Sequence, residues 1–480
     1  MKNIKYIVFA ALLGIVSCKK TELDLFPYNQ IETSQAFNTE PDVTLALNGM
    51  YAGLRTSGSY FVNGTWNIMA DVLSDNLIPD RSGPGRGTLL TFSEWRYTGQ
   101  NTYSLMQGGY TIIRRANAIL ENIEKFKEGA FKNNAKGEAL ALRAMVYFDM
   151  SRVYAKTYEN ASATDSVMPY ITSTDPTIKP SKEPVKGFYE KVIADLESAK
   201  SLIGTTNGIY RFNKAAVSGL LSRVYLYKGD MAACIAASND ALGATPNVGT
   251  LAVFPRIWVD DPTANAAVLF KVRNTVSDNL NAQGVNYYQT VGGEKKAEYV
   301  ITYDFRQLYV SEDIRTATYL QQNSFVGKSF NNVIKYNGRP GDPDGVVDGK
   351  VIRTAEVLLN RAEAYYRSSP SNPVAALADL VLLKTNRYKD YVPETLTGVA
   401  LLNEIYLQRR LELAFEGDRF WDLKRRNLPV TRDAVHGDLA DGGGIPFVFT
   451  TLPAGDFKFQ LPYPVEEVNF NNNFFQNPDY

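Results

Sequence analysis

Apolar residues recur every three or four positions over long stretches of this chain, and this spacing limits the fold more than any other feature. Four stretches show it: 43–54, 112–126, 140–154 and 188–203. Residues at this spacing share one face of a helix, so each stretch predicts an amphipathic helix that buries one side. The sequence therefore predicts a mainly α-helical protein whose helices pack on one another.

A helix hairpin is predicted within residues 213–242. Asn213 is a residue type that caps helix starts, and Gly229 with Asp230 suits the turn between two helices. The order of small and aromatic residues resembles one tetratricopeptide unit, and a looser copy follows at 361–379. Copies this far apart cannot form a contiguous repeat array. We predict a single large α-helical body with tetratricopeptide-like helix pairs and long irregular excursions between them.

Three excursions interrupt the helical pattern, and none of them has the apolar content of a domain core. They are residues 77–104, 244–350 and 427–480, which are rich in Gly, Pro, Asn and aromatic residues. Loops positioned by a rigid scaffold often carry binding residues. We therefore expect function to lie in these excursions.

Composition excludes several functional classes. Lys plus Arg (51) equals Asp plus Glu (51), so the positive excess expected of a nucleic-acid-binding protein is missing. One histidine, His436, and two cysteines, Cys18 and Cys234, are too few for a Cys/His zinc site and leave one imidazole for a catalytic triad. Cys234 is interpreted as a small buried hydrophobic residue.

The N-terminus has the pattern of a secretory signal. Lys2 and Lys5 precede an apolar run at 6–16 that is too short for a stable membrane span. The run ends at Cys18 in a sequence that resembles a bacterial lipobox. We expect residues 1–17 to be a lipoprotein signal peptide and Cys18 to be the lipidated first residue of the mature protein. An ordinary secretory signal with an incidental cysteine is the alternative.

A charged cluster near the C-terminus allows two interpretations. Arg409, Glu412 and Glu416 have the i, i+3 and i+7 spacing of one helix face, and Arg419 and Asp422 follow. Two carboxylates could act as a glycosidase pair, but nearby arginines would keep both ionised. The alternative is a structural network of arginines and acids that ties the last helices to the body.

A second acidic motif has the rhythm of a calcium loop. Asp342, Asp344 and Asp348 occupy positions 1, 3 and 7, but Arg353 stands where position 12 would require glutamate. A solvated turn without metal is the preferred interpretation, and calcium binding is the weaker alternative.

The stretch 408–425, QRRLELAFEGDRFWDLKR, resembles the hallmark of the SusD/RagB family of nutrient-uptake outer-membrane lipoproteins. Further landmarks follow the family order: 74–76, 115–117, 353–365, 461–464 and 476–480. The departures are small: Gln408 stands where the family usually has Glu, and Asp479 where it usually has Gly. The resemblance implies one SusD-like body over 18–480, with an N-terminal part at 18–230 and a C-terminal part at 231–480.

The resemblance also implies a function. It predicts a lipid-anchored protein on the cell surface of a bacterial outer membrane that binds an oligosaccharide and delivers it to a TonB-dependent, SusC-like transporter. No catalysis, cofactor or nucleic-acid partner is expected. A peptide-binding, RagB-like uptake protein is one alternative, and a glycoside hydrolase acting through Glu412 and Glu416 is another.

Similar proteins place their ligand contacts in variable loops, where an exposed aromatic ring can stack on a sugar and planar donors can bind its hydroxyls. Six loop residues are the ligand-binding candidates: Arg81, Arg86, Trp95, Asn286, Tyr287 and Tyr288. A packing role is the alternative for each of them.

The lipobox interpretation predicts the effect of removing the thiol. Cys18→Ala eliminates the atom that would accept the lipid, so we expect the protein to move from the membrane to the soluble fraction. Fractionation followed by immunoblotting checks this outcome. Retention of Cys18→Ala in carbonate-washed membranes would contradict lipid anchoring at this residue.

Overall fold

A computed structural model describes most of the chain. The described residues are 36–55, 65–83, 87, 89–103, 105–278 and 282–480. The predicted signal peptide and Cys18 lie outside them. No helix in this part of the chain combines the length and the apolar character that a membrane crossing requires.

Helices dominate the described chain, and the strands are short. The α-helices are α1 Glu40–Ala52, α2 Thr65–Val72, α3 Leu90–Ser93, α4 Leu105–Ile123, α5 Ala130–Tyr154, α6 Val185–Leu202, α7 Lys214–Lys228, α8 Met231–Leu242, α9 Phe254–Ile257, α10 Ala282–Tyr287, α11 Tyr303–Gln307, α12 Ile314–Tyr319, α13 Thr354–Arg367, α14 Pro373–Thr385, α15 Gly398–Glu412, α16 Arg419–Arg425 and α17 Val465–Phe470. The strands are β1 Leu77–Pro79, β2 Ser166–Val167, β3 Glu183–Pro184, β4 Val268–Val272, β5 Gln289–Val291, β6 Glu294–Lys296, β7 Tyr299–Ile301, β8 Leu320–Phe325, β9 Lys328–Val333, β10 Gly349–Arg353, β11 Val430–Thr431 and β12 Thr451–Leu452. The prediction of a mainly α-helical fold is confirmed.

The predicted helix hairpin is formed by α7 and α8. The Asn213 side chain caps α7 by accepting the N–H of Ala216 at 2.9 Å. Gly229 has a φ of +83°, a backbone conformation that favours glycine, and so ends α7 at the turn. Asp230 then caps α8 by accepting the N–H of Ala233 at 3.1 Å. Local cap and turn residues therefore determine this element.

The helices stack as successive antiparallel pairs around one core. Helix α4 packs on α5, α5 on α6, α6 on α7 and α7 on α8, and α8 in turn packs on α13, which pairs with α14. A continuous cluster of buried apolar side chains includes residues from Phe37 to Phe474. Cys234 on α8 is buried where this helix packs against α13, and burial raises the pKa of its thiol to about 12.

The predicted division of the body into an N-terminal part that ends at residue 230 and a C-terminal part that begins at residue 231 stays a prediction.

Short two-stranded sheets connect the excursions to one another. Strand β1 of the first excursion pairs antiparallel with β7 of the second, with Leu77 opposite Ile301. Strands β8 and β9 form a hairpin, and β4 pairs with β10 just before α13. The described parts of the first and second excursions are therefore joined through β1 and β7.

Glu412 is the centre of a buried ion network. Its carboxylate is 0% exposed and accepts hydrogen bonds from Arg353 at 2.8 Å and from Arg387 at 2.8 and 2.9 Å. Burial by itself raises the pKa of Glu412, but the charges of Arg387 and Arg353 outweigh it and hold this pKa well below its usual range. The carboxylate is therefore an ionised structural group.

The predicted shared helix face of Arg409, Glu412 and Glu416 is wrong. Helix α15 ends at Glu412, because the chain turns through Phe415, whose φ is +66°. Glu416 lies beyond the helix but still reaches Arg353, which donates to it at 2.7 Å. Arg409 turns away from both glutamates and binds Asp418 at 3.0 Å.

The remaining residues of the charged cluster also form ion pairs. Arg419 donates two hydrogen bonds to Asp75, at 2.8 and 2.9 Å. Asp422 accepts from Arg425 at 2.6 Å, and Arg425 also reaches Glu363 at 2.6 Å. These contacts join α16 to α13 and to the segment before β1, as the structural-network interpretation expects.

The buried network predicts a large cost for removing one charge. Glu412→Gln leaves the Arg353 and Arg387 guanidinium groups enclosed without their shared anion. We expect the free energy of unfolding to fall by about 3–5 kcal/mol. Glu128→Gln is the matched control, because the Glu128 side chain is 79% exposed and its ion pair with Lys132 contributes at most about 1 kcal/mol. Denaturant unfolding of both variants checks the difference, and equal small losses would contradict the role of Glu412.

Candidate ligand-binding site

The three excursions meet at one buried carboxylate, Asp438. It accepts the backbone N–H groups of Arg81 and Ser82 from the first excursion, both at 2.6 Å, and that of Ile445 from the third at 2.8 Å. Lys328 of the second excursion donates to the backbone oxygen of Ser82. Asp438 therefore ties the first excursion to the third, and the second excursion joins them through the contact of Lys328 with Ser82.

Asp80 lies beside this junction, in surroundings that disfavour the ionised form of its carboxylate. Its carboxylate accepts the N–H of Gly83 at 2.6 Å. The pKa of Asp80 is raised to about 6: burial is the largest cause, the charges of Asp438 and Glu298 act in the same direction, and the Gly83 hydrogen bond opposes them. The loop junction is therefore the part of the site that responds to mildly acidic pH.

A cavity of about 180 Å³ opens next to the junction, between β1 with the residues just before it, helix α11, and the chain from β11 onward. The Tyr303 ring stacks on the His436 imidazole, with centroids 4.3 Å apart and planes inclined by 30°. Phe447 supplies a second, half-buried aromatic side chain, and the carboxylates of Asp304 and Asp433 line the polar wall. The cavity thus combines apolar rings with hydrogen-bond acceptors.

Sequence reasoning did not single out Tyr303 or Phe447, although both lie in excursions that it identified as functional. Tyrosine and phenylalanine are abundant in this chain, with 29 and 24 residues, so composition alone cannot distinguish a cavity ring from a core ring. The usable signal was the position of Tyr303 directly after the short strand β7. Aromatic residues at strand ends next to loops are suited to line a ligand site.

Trp95, one of the predicted ligand contacts, is packed in the core. It is 3% exposed, and its indole N–H donates to the backbone oxygen of Leu73 at 2.9 Å. The guanidinium of Arg432 covers the ring at 3.9 Å. Stacking on a sugar requires an exposed ring face, so the structure favours the packing alternative for Trp95.

Arg81 lies at the loop junction, where its guanidinium forms an ion pair with Glu94. Its side chain helps to hold the first excursion in place, and it is not among the residues that line the 180 Å³ cavity. Arg86 lies outside the described residues.

The second predicted trio lies at the end of α10. Tyr287 is buried and packs nearly parallel to Tyr336, with centroids 6.3 Å apart. Tyr288 is also buried, and its hydroxyl donates to Gln321 at 3.1 Å. Asn286 is half-buried beside them. All three lie outside the 180 Å³ cavity, and the two tyrosines have the packing role that was the alternative.

The three aspartates of the calcium-like motif do not converge on one point. Asp348 is buried, so the turn is only partly solvated. A different cation neutralises each carboxylate: Arg339 contacts Asp342 at 3.1 Å, Lys295 contacts Asp344 at 3.1 Å and Lys271 contacts Asp348 at 3.0 Å. Basic side chains occupy the positions that a calcium ion would need.

The glycosidase hypothesis fails on geometry. A glycosidase places two carboxyls on either side of an open cleft and raises the pKa of one of them. Glu412 is enclosed and held ionised by arginines, and Glu416 is paired with Arg353 and Lys335. Neither carboxylate lines the 180 Å³ cavity.

The stacked helix pairs have the architecture of solved structures from one protein family. Residues 23–226 match a SusD-like family model described as "Starch-binding associating with outer membrane", and residues 279–480 match the model described as "SusD family". The chain belongs to the SusD family.

Individual relatives cover nearly the whole chain. Two SusD-like proteins of Formosa agariphila are each 24% identical, one over 89% of this chain and 92% of its own length, the other over 100% of both. A crystal structure of a putative sugar binding protein from Bacteroides vulgatus is 26% identical, with a TM-score of 0.79 over 93% of this chain and 99% of that one. A SusD superfamily protein from Bacteroides thetaiotaomicron has the same fold, with a TM-score of 0.79, 24% identity and coverage of 92% and 100%.

The raised pKa of Asp80 predicts a pH-dependent stability. Between the ordinary pKa of about 4 and the folded value of about 6, the folded protein keeps a proton that the unfolded chain loses, so stability falls as pH rises through this window. Asp80→Asn keeps the acceptor for Gly83 and removes the charge. We expect it to raise the free energy of unfolding by about 1 kcal/mol at pH 8 and by less at pH 4.5. Thermal melts at both pH values check this, and a destabilised variant at pH 8 would contradict it.

Proposed function

We propose that this protein is a cell-surface lipoprotein, anchored through Cys18, that captures an oligosaccharide and delivers it to a TonB-dependent, SusC-like outer-membrane transporter. Membership in the SusD family and similarity to a protein described as sugar-binding support the ligand class. The family description of starch binding in association with the outer membrane supports the location. The observation that carries the proposal is the aromatic and acidic cavity at the meeting point of three loops.

The cavity has the chemistry that sugar binding requires. A sugar ring has an apolar face that stacks on aromatic rings and a rim of hydroxyl groups that need acceptors. Tyr303 and Phe447 supply the rings; the His436 imidazole covers one face of Tyr303 and the Arg432 guanidinium lies 4.6 Å from the Phe447 ring, so a sugar would stack on the opposite faces. The Asp304 side chain is 57% exposed and Asp433 lies beside it, so both carboxylates can accept hydroxyl donors.

The volume of about 180 Å³ limits how a ligand binds. Complete ligand sites usually enclose about 300–1,000 Å³. One sugar ring therefore occupies the cavity, and the remaining units of an oligosaccharide extend over the surrounding loops. Such partial burial leaves the outer units free for transfer to a second protein.

A second groove, of about 270 Å³, lies elsewhere, between α4, the loop after β2 and helix α17. Its walls combine apolar side chains, such as Ile113, Ile178 and Pro180, with polar ones such as Asn117, and the exposed ring of Phe470 lies at the edge. A larger share of its accessible wall is apolar than in the 180 Å³ cavity. We therefore place the glycan in the smaller cavity.

Ligand capture and delivery involve binding and transfer without a chemical step. The loops hold the ligand through stacking and hydrogen bonds, which form and break without covalent change. The transporter then supplies the energy for import. A hydrolytic step has no suitable acid in the charged network, where arginines keep the carboxylates ionised.

Tyr303 provides a direct test of the binding site. Tyr303→Ala removes the ring at the cavity wall, so we expect the affinity for the captured glycan to fall roughly 5- to 30-fold, or about 1–2 kcal/mol. Isothermal titration calorimetry of residues 19–480 against plant, host and microbial oligosaccharides and a peptide pool identifies the ligand and measures the change.

Phe470→Ala is the matched control, because it removes an exposed ring from the separate 270 Å³ groove. Unchanged binding in Phe470→Ala supports the proposed cavity. Loss of glycan binding in Phe470→Ala but not in Tyr303→Ala would place the site in the other groove. Binding of peptides with a flat response to every glycan would overturn the proposed ligand class.

A further inference from the structure

The only histidine of the chain lies at the wall of the 180 Å³ cavity, between two carboxylates. His436 Nδ1 is 3.2 Å from Asp304 Oδ1 and also contacts Asp433 Oδ2. One donor atom from each of the three residues lies within 4.8 Å of the others. No other group of three acidic, histidine or cysteine residues in the described chain converges in this way.

These three side chains carry unbalanced charge. Within the described residues, neither Asp304 nor Asp433 forms an ion pair with a lysine or an arginine, and His436 is their only titratable partner. The cluster therefore combines two carboxylates with one imidazole nitrogen donor. Arg410 and Arg432 also line the cavity, but Arg410 pairs with Asp75 and Arg432 donates to backbone oxygens such as that of Ser74.

The donors are held in place before any ion binds. The Tyr303 ring packs on one face of the imidazole, and the backbone of Gly442 approaches so closely that a Cβ there would lie 2.7 Å from the imidazole carbon. Asp433 accepts the backbone N–H groups of Val435 at 2.9 Å and of His436 at 3.1 Å. Preorganised donors lower the entropic cost of binding.

We propose that Asp304, Asp433 and His436 bind one divalent transition-metal ion of the zinc class, with open coordination positions directed into the cavity. Imidazole nitrogen with carboxylate oxygens suits Zn²⁺, and a three-ligand protein site leaves a position for an external ligand. With metal–donor distances of about 2.0–2.2 Å, donors of a tetrahedral site lie about 3.3 Å apart. The observed 3.2 Å between His436 Nδ1 and Asp304 Oδ1 is close to this spacing, whereas the shorter contact of Nδ1 with Asp433 Oδ2 is a hydrogen bond that a bound ion would replace.

The donor chemistry distinguishes this site from the calcium-like motif described above. Calcium takes six to eight oxygen ligands, whereas this site offers a nitrogen and few oxygens. It also has no basic side chain paired with its carboxylates, unlike Asp342, Asp344 and Asp348. We therefore expect Zn²⁺ to bind and Ca²⁺ to bind far more weakly.

A bound ion would change how the cavity holds its ligand, and this consequence rests on the proposed function. The open positions accept oxygen donors, so sugar hydroxyl or carboxylate oxygens could complete the coordination. Metal binding itself needs no glycan, so the two proposals can fail separately.

Calorimetric titration of Zn²⁺ into residues 19–480 without an affinity tag tests the site with the metal alone. We expect one saturable site in the micromolar range. His436→Gln should abolish it, and Asp304→Asn should weaken it at least about 10-fold, because each removes a ligand atom. Asp441→Asn is the matched control, since Asp441 is an exposed carboxylate of the same loop outside the cluster. No Zn²⁺ binding, or equal binding in His436→Gln, overturns the proposal.

The single imidazole allows an independent measurement at the residue itself. The His436 ring resonances are the only histidine signals in the proton NMR spectrum of the untagged protein. If His436 is a metal ligand, Zn²⁺ shifts these signals at constant pH and suppresses their titration with acid. If the cluster is only an ion pair, the signals shift with pH and do not change when Zn²⁺ is added. That result overturns the proposal.

Glycan binding measured with Zn²⁺ and with a chelator then separates the two proposals. Stronger glycan binding with Zn²⁺ shows that the ion and the sugar share the cavity. Equal glycan binding under both conditions, together with a His436-dependent Zn²⁺ site, keeps both the metal site and the glycan function but removes their coupling.

Discussion

The fold depends on the enclosed carboxylate of Glu412. It joins Arg353, at the end of β10, to Arg387, which follows α14, and so ties together parts of the chain that lie far apart in sequence. Burying these charges is costly, and the cost is offset only when every member keeps its partners. Glu412 is the last residue of α15, so the network anchors the end of this helix. The chain continues from there through α16 to the third excursion, which supplies one wall of the ligand cavity.

The three excursions are joined in a similar way, by one carboxylate that accepts several hydrogen bonds. Asp438 uses one buried carboxylate to collect backbone N–H groups from the first and third excursions, while Lys328 brings in the second. The three excursions also share a small buried apolar cluster that includes Ile78, Val300 and Phe330, with Leu439 and Phe447 packed against it. Charge-assisted hydrogen bonds at Asp438 add to the order that this packing supplies. The pKa of Asp80 is raised first by burial and then by the charges of Asp438 and Glu298, which shows the electrostatic cost of enclosing carboxylates at that point.

Sequence patterns predicted the helical body because its determinants are local. The periodic apolar faces and the Asn213, Gly229 and Asp230 caps act over a few residues, and each specifies its helix almost independently of the rest. The error at Glu416 arose where one residue, Phe415, adopts a left-handed φ that no periodicity reveals. Trp95 was misjudged for a different reason: its burial is set by contacts with Leu73 and Arg432, which are distant in sequence. The residues of the ligand site are also brought together by contacts between distant parts of the chain. The sequence therefore predicted which loops matter, but not which of their side chains face the cavity.

The charge of the cavity wall limits the ligands that this face can hold. Asp304 and Asp433 lack basic partners among the described residues, so an anionic sugar meets like charge where it approaches these two carboxylates. Such repulsion in a partly desolvated site costs more than the same contact in water. A neutral glycan avoids the cost by donating hydroxyl groups to the carboxylates. An acidic glycan reduces it by directing its charge toward Arg432, which also lines the cavity, and a cation bound at His436 would offset the two carboxylates, so the metal content of the site would influence which class of sugar the protein prefers.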